Sequence, residues 1–179
     1  MANPQPFACA VAACSFAALA LFAQCARADE YTDVNQLVNA RQYGEALARA
    51  DKYLAAKPRD PQMRFLKGVI EADSGKRAEA IATYTQLTQD YPELAEPYNN
   101  LAVLYAQESD YEKAREALEG ALRADPNYAT AWENLGDVYA RLASRSYAKA
   151  QQLDPANATA PAKLALARQL LSSTQAKPR

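Results

Sequence analysis

Residues 95–126 read AEPYNNLAVLYAQESDYEKAREALEGALRADP, and this stretch decides the fold. Tyr98, Leu101, Ala102 and Tyr105 recur at helical spacing and form one stripe of a first helix. That helix runs out at Ser109-Asp110, whose side chains compete with the helical backbone for hydrogen bonds. A second stripe, Ala114, Ala117, Leu118, Ala121 and Leu122, follows an i, i+3, i+4, i+7, i+8 series. It stops before Pro126, which disfavours helical geometry in the residue preceding it. Neither amphipathic helix can bury its stripe alone, so the pair is expected to be one unit among several.

Subtraction finds the others. Pro58, Pro92 and Pro126 are 34 residues apart, as are Ala46, Ala80 and Ala114 in the second helices and Gly68, Ala102 and Gly136 in the first. A fixed period in three independent series is the mark of a repeat architecture. Small residues at those sites let paired helices approach closely, while Tyr98, Trp132 and Tyr105 fill the space beside them. The segment Trp132-Glu-Asn-Leu135-Gly136-Asp-Val-Tyr139 carries the aromatic, Leu-Gly and Tyr of the tetratricopeptide repeat, and the chain resembles that family from about Asp29 to Pro155. The resemblance implies an all-α fold, an α-solenoid of stacked helix–turn–helix repeats with a C-terminal capping helix.

Residues 1–28 stand outside the pattern. Phe7 to Ala23 is an uncharged apolar run rich in small residues, and Ala26-Arg27-Ala28 follows it as an A-x-A site, so a secretory signal peptide over 1–28 with cleavage after Ala28 is expected. An uncleaved segment of that length would instead be nearly long enough to anchor the chain in a membrane. The lipoprotein motif wants a small residue before its Cys, and Gln24 precedes Cys25. Cleavage would remove Cys9, Cys14 and Cys25, leaving no disulfide possible, so apolar stripes must hold the fold. The expected compartment is the periplasm.

The repeats are expected over about 29–60, 61–94 and 95–128, with a shortened fourth over 129–155, a capping helix over 160–171 and a disordered tail over 172–179. Together 29–171 forms the repeat domain. Asp60-Pro61 is a start signal, an N-cap followed by Pro at the first helical position. In the second repeat Glu71 stands where Tyr105 and Tyr139 stand later. In the fourth, Ala143 follows Tyr139 after four residues, where Ala114 follows Tyr105 after nine. The missing residues are those of the turn, and Ala140-Arg-Leu-Ala-Ser-Arg-Ser146 contains no Gly or Pro. Trp132, Leu135, Tyr139, Leu142, Ser146, Ala150 and Leu153 keep one stripe, so a continuous helix is expected from about Ala129 to Leu153.

Chemistry is narrowed by what is missing. The chain has no His, and without its leader it has no Cys, which removes Ser-His and Cys-His nucleophiles and His-ligated metals. Ser146-Tyr-Ala-Lys149 matches S-x-x-K spacing but lacks the accompanying motifs and lies within a helical pattern. Carboxylate pairs such as Asp110 with Glu112 read as solvated surface. The chain has 20 basic and 21 acidic residues, net −1 (net −2 without Arg27), and so no electrostatic footprint for nucleic acid. No catalytic residue, cofactor or metal is expected.

In the resembled family the first helices line a concave wall, so binding is the implied role. Carrying the inward-facing slots over gives Asn35 and Asn39; Gln62, Phe65, Val69 and Asp73; Glu96, Asn99, Asn100, Val103 and Gln107; and Glu133, Asn134, Asp137 and Arg141. Members that grip a C-terminal carboxylate place Lys and Arg in slots that here hold Tyr31, Phe65, Glu96, Asn100 and Thr130. The wall is amide-rich and mildly acidic, suited to a neutral or basic segment of another envelope protein. A homo-oligomer assembling through its C-terminal helices is the alternative.

Overall fold

The computed structural model describes residues 30–175, and every regular element among them is an α-helix. The expected leader, its cleavage site and residues 176–179 lie outside the described residues. The helices are α1 (30–39), α2 (Tyr43–Ala56), α3 (Pro61–Asp73), α4 (Arg77–Asp90), α5 (Ala95–Gln107), α6 (Tyr111–Ala124), α7 (Ala129–Leu153) and α8 (Ala160–Gln175). The chain divides into two compact units whose boundary, Ile70 to Glu71, falls inside α3.

In the first unit Val34, Ala46, Ala50, Tyr53, Met63 and Ile70 form the buried core, with Tyr31, Leu37, Val38, Leu47 and Leu54 packed against it. Asp60 organises its polar edge. One carboxylate oxygen accepts the Tyr31 hydroxyl at 2.6 Å and the Met63 backbone N–H at 3.1 Å, which caps α3. The other accepts the Tyr53 hydroxyl at 2.9 Å. Burial, and then Asp60, push the Tyr31 phenol well above its ordinary pKa.

In the second unit the small residues of the second and third repeats act as the sequence pattern requires, whereas Gly136 is exposed, with nothing within 4 Å of where its Cβ would be, because no second helix folds back over it. Ala80 and Ala114 are fully buried, and Ala102 nearly so. Gly120 lies so close under Tyr98 that a Cβ there would stand 2.6 Å from the ring. Glu71 is also buried, and Thr83 on α4 donates to its carboxylate at 2.7 Å. A hydrogen bond between helices thus stands at the slot that Tyr105 fills one repeat later.

The period is written into the backbone turns. The only non-glycine residues with positive φ among those described are Arg41 (58°) and Ser109 (61°), and Gly75 (81°) lies midway between them at the same spacing. At each, the following N–H reaches back five residues: Gln42 to Leu37, Lys76 to Glu71, Asp110 to Tyr105. This is the Schellman ending of a first helix. Second helices end alike, with Lys57, Tyr91 and Asp125 donating to Tyr53, Leu87 and Ala121.

The fourth repeat departs from this. α7 is a single helix of 25 residues. Its end is the ordinary end of a second helix, Asp154 donating to Ala150 and Asn157 to Asp154, as Asp125 donates to Ala121 and Tyr128 to Asp125. α7 is therefore a first and a second helix joined without their turn. The expected single stripe does not share one environment. Leu135 is buried, but Trp132 is 56 % exposed and Tyr139 49 %, because the segment that would fold back over them runs straight on, and Leu153, at the end of that segment, is 72 % exposed. α8 packs on α7 through Ala160 and Leu164 and continues past Leu171 to Gln175, where a disordered tail was expected. After Pro161 in its first turn the helix holds no Gly or Pro, and the Ser172 hydroxyl donates to the Gln169 carbonyl at 2.8 Å.

Candidate partner-binding groove

The expected groove residues fall into both units and are taken unit by unit. In the first, Asn35, Asn39 and Gln62 are exposed, and Phe65 and Val69 half-buried. The Asn35 amide donates to the Tyr31 carbonyl one turn back at 2.8 Å, an interaction within its own helix.

In the second unit the slots from α5 and α7 come together. The two helices touch directly, and Asn134 Nδ2 donates to Asn99 Oδ1 at 2.8 Å. Asn99 is buried, so this amide pair holds the wall from within. Asn100 Nδ2 donates to the Tyr84 hydroxyl at 3.1 Å, tying α5 to α4. Tyr84 is fully buried, and desolvation pushes its phenol up to about 12, opposed by the Asn100 hydrogen bond and reinforced by Asp73 and Glu71. The sequence marks Asn99, Asn100 and Asn134 as slots of an amide-rich wall but does not show that Tyr84 and Asn99 engage the other two. Tyr84 lies on the second-helix stripe and its hydroxyl needs a neighbour when buried, but which neighbour it finds is set by the spacing of the helices.

What an incoming chain meets is therefore the outer set: Glu96, Val103, Gln107 and Glu133 are exposed, and Asp137 and Arg141 half-buried. Asp73, from the end of α3, is exposed as well. Arg141 sits with Arg145 over the Tyr111 ring, at 5.6 and 5.5 Å, in cation–π geometry. The Ser109 hydroxyl, and then Arg141 and Arg145, hold the Tyr111 phenol below its ordinary pKa against the effect of burial. Burial and Glu96 raise that of Tyr128. With one cation already over a ring and four carboxylates, at Asp73, Glu96, Glu133 and Asp137, the surface of this unit's groove is acidic around an apolar spot at Val103.

Two family models match the chain, a tetratricopeptide repeat over residues 31–95 and a TPR repeat over 104–142. This is a tetratricopeptide-repeat fold. Among curated proteins, the chain is 37 % identical over 76 residues to the chloroplastic tetratricopeptide repeat domain-containing protein PYG7 of Arabidopsis thaliana, covering 40 % of this chain and 25 % of that one. It is 25 % identical over 89 residues to the Photosystem I assembly protein Ycf3 of Prochlorococcus marinus, covering 48 % and 51 %. The chain thus spans at most about half the length of these relatives. Among solved structures, YrrB, described as a TPR protein with an unusual peptide-binding site, superposes with a TM-score of 0.54 at 28 % identity, over 58 % of this chain and 54 % of that one. Tetratricopeptide repeats mediate protein–protein interaction and assembly, and no helix among the described residues is long and apolar enough to cross a membrane.

Proposed function

We propose that this protein is a non-catalytic adaptor that holds a neutral or basic segment of another protein on the α5–α7 wall, and that it works in the bacterial periplasm after export. The observation that carries the reading is the wall itself. Its amides are locked inward by Asn99 and Tyr84, which fixes the helices, while Glu96, Glu133, Asp137 and Val103 are left to face a ligand. A rigid acidic surface around an apolar spot favours a basic or neutral chain and repels an acidic one. Ycf3, a Photosystem I assembly protein, and YrrB, with its unusual peptide-binding site, agree with such a role.

The test is a pull-down from envelope extract with the full chain, repeated with Glu96→Lys plus Glu133→Lys and with Lys113→Ala plus Glu116→Ala outside the groove. The first pair should lose the captured protein and the second retain it. Equal retention by all three would remove the groove from the function. Fractionation of cells carrying the full chain should place it in the periplasmic extract, and a cytosolic location would overturn that part of the reading.

A further inference from the structure

Among the described residues, five of the six large apolar side chains that stay exposed lie on α7 and α8, and on α7 they have one address. Trp132, Gly136 and Tyr139 occupy the places that Tyr98, Ala102 and Tyr105 hold one repeat earlier. In that earlier repeat α6 covers them: Gly120 lies against the Tyr98 ring, and Ala102 is 1 % exposed. In α7, nothing lies within 4 Å of where a Gly136 Cβ would be. Trp132 is held ready, its indole N–H donating to the Pro126 carbonyl at 2.9 Å while the ring stays exposed.

The helix that would cover this face is in the chain, and it is out of reach. Ala143, Ser146 and Ala150 stand where Ala114, Ala117 and Ala121 stand in α6, each 29 residues on instead of 34, and the helix end at Asp154 carries the same offset. In α6 those three small residues are buried. In α7 Ser146 is exposed and Ala143 and Ala150 half-buried. A straight helix cannot lay its second half on its first, so one molecule holds both halves of a hairpin interface and can close neither.

We propose that a second copy of this chain closes it, by reciprocal exchange. Residues 143–153 of each copy lie antiparallel on the Trp132–Gly136–Tyr139 face of the other, with a two-fold axis crossing near Arg141 to Ala143. The two α7 helices, each about 37 Å long, pair along one stripe. Bulky Tyr139 meets the small side chains of the partner's second half, as Tyr105 meets those of α6, while Trp132 meets Lys149, which stands 29 residues on from the Gly120 that lies against Tyr98 and lays its apolar stem and ammonium over the indole. The stripe is complementary to itself when reversed, which a two-fold interface requires. A shortened hinge is the standard structural cause of such an exchange, because a turn too short to form leaves only intermolecular closure.

Trp132 is the only tryptophan in the chain, so its emission reports on this face. The full chain should be measured in reductant, so that Cys9, Cys14 and Cys25 form no cross-link, by light scattering and fluorescence over a concentration series. The expected mass is twice the 19.5 kDa of the chain, with Trp132 emission blue-shifted and moving red on dilution as the mass halves. Gly136→Arg, which the open face of one molecule accommodates, should raise the dissociation constant by at least about tenfold and leave Trp132 wet. Inserting Glu-Ser-Asp-Tyr-Glu, the sequence of 108–112, between Arg141 and Leu142 restores the turn. That variant should be monomeric with Trp132 covered by its own chain. A monomer at every concentration overturns the proposal: with Trp132 blue-shifted, the chain's own ends cover the face, and with Trp132 exposed until an unrelated protein is added, the face belongs to that protein. A dimer that survives both variants also overturns it.

Discussion

Asn134 donates its side-chain amide to the side-chain carbonyl of Asn99 at 2.8 Å, joining α7 to α5 across 35 residues of sequence. Asn99 is buried, so removing its partner leaves a carbonyl that water does not reach freely.

Asn134→Ala should therefore cost about 1–3 kcal/mol in urea unfolding. Asn99→Ala combined with Asn134→Ala should lose less than the two single losses added together, by about 0.5–3 kcal/mol, since the same bond is broken in each. Strict additivity would show that the two amides act independently.

Two helical glycines should answer the same substitution with opposite signs. At Gly120 a Cβ meets Tyr98, whose hydroxyl is tied to the Thr88 carbonyl at 3.2 Å and whose ring cannot simply swing away, so Gly120→Ala should lower the melting temperature. At Gly136 a Cβ meets nothing, so Gly136→Ala should raise stability by up to about 1 kcal/mol through helix propensity alone.

The turn residues make a matched set. Gly75 has φ of 81°, where an L side chain is strained, and Gly75→Ala should destabilise by about 1 kcal/mol. Ser109 bears that strain already at 61°, and Ser109→Gly should be neutral or stabilising by a few tenths of a kcal/mol. Chemical denaturation of the two variants side by side checks the pair, and a loss of stability in both would mean that the Ser109 side chain matters more than its backbone.

Tyr84 sets an alkaline limit. Its folded pKa, pushed up to about 12 by burial, lies above the ordinary value of 10.0, so the neutral phenol is the form the fold keeps. The stability tied to it is complete below pH 10 and falls as pH rises toward 12, by roughly 2–3 kcal/mol over that window. Tyr31, also raised, acts in the same direction. Urea midpoints at pH 9 and pH 11 should differ for wild type and differ less for Tyr84→Phe.

Most of the fold was legible because a repeat states its packing more than once. Ala46, Ala80 and Ala114 mark the same close contact, and all three are fully buried. The fused helix was legible for the opposite reason, through the missing turn between Tyr139 and Ala143. What the pattern could not show was where the stripe of that helix ends up: Trp132 carries the best-formed motif in the chain and is 56 % exposed, since burial depends on where the next segment goes. The groove was legible as a set of positions. Which amides were already engaged was not, because the partners of Asn100 and Asn134 sit on other helices and are found only by distance.

The principal contacts in the second unit run between successive helices, α4 with α5, α5 with α6, α6 with α7 and α7 with α8. Such a chain records insertions and deletions locally. The loss of five residues at the turn of a sheet would shift a register through every strand beyond it, whereas here the turns on either side, at Ser109 and Asp154, keep the hydrogen bonds of their counterparts. A change of length in such a chain leaves the helix pairs before it as they were and alters only which faces of the helices after it are covered.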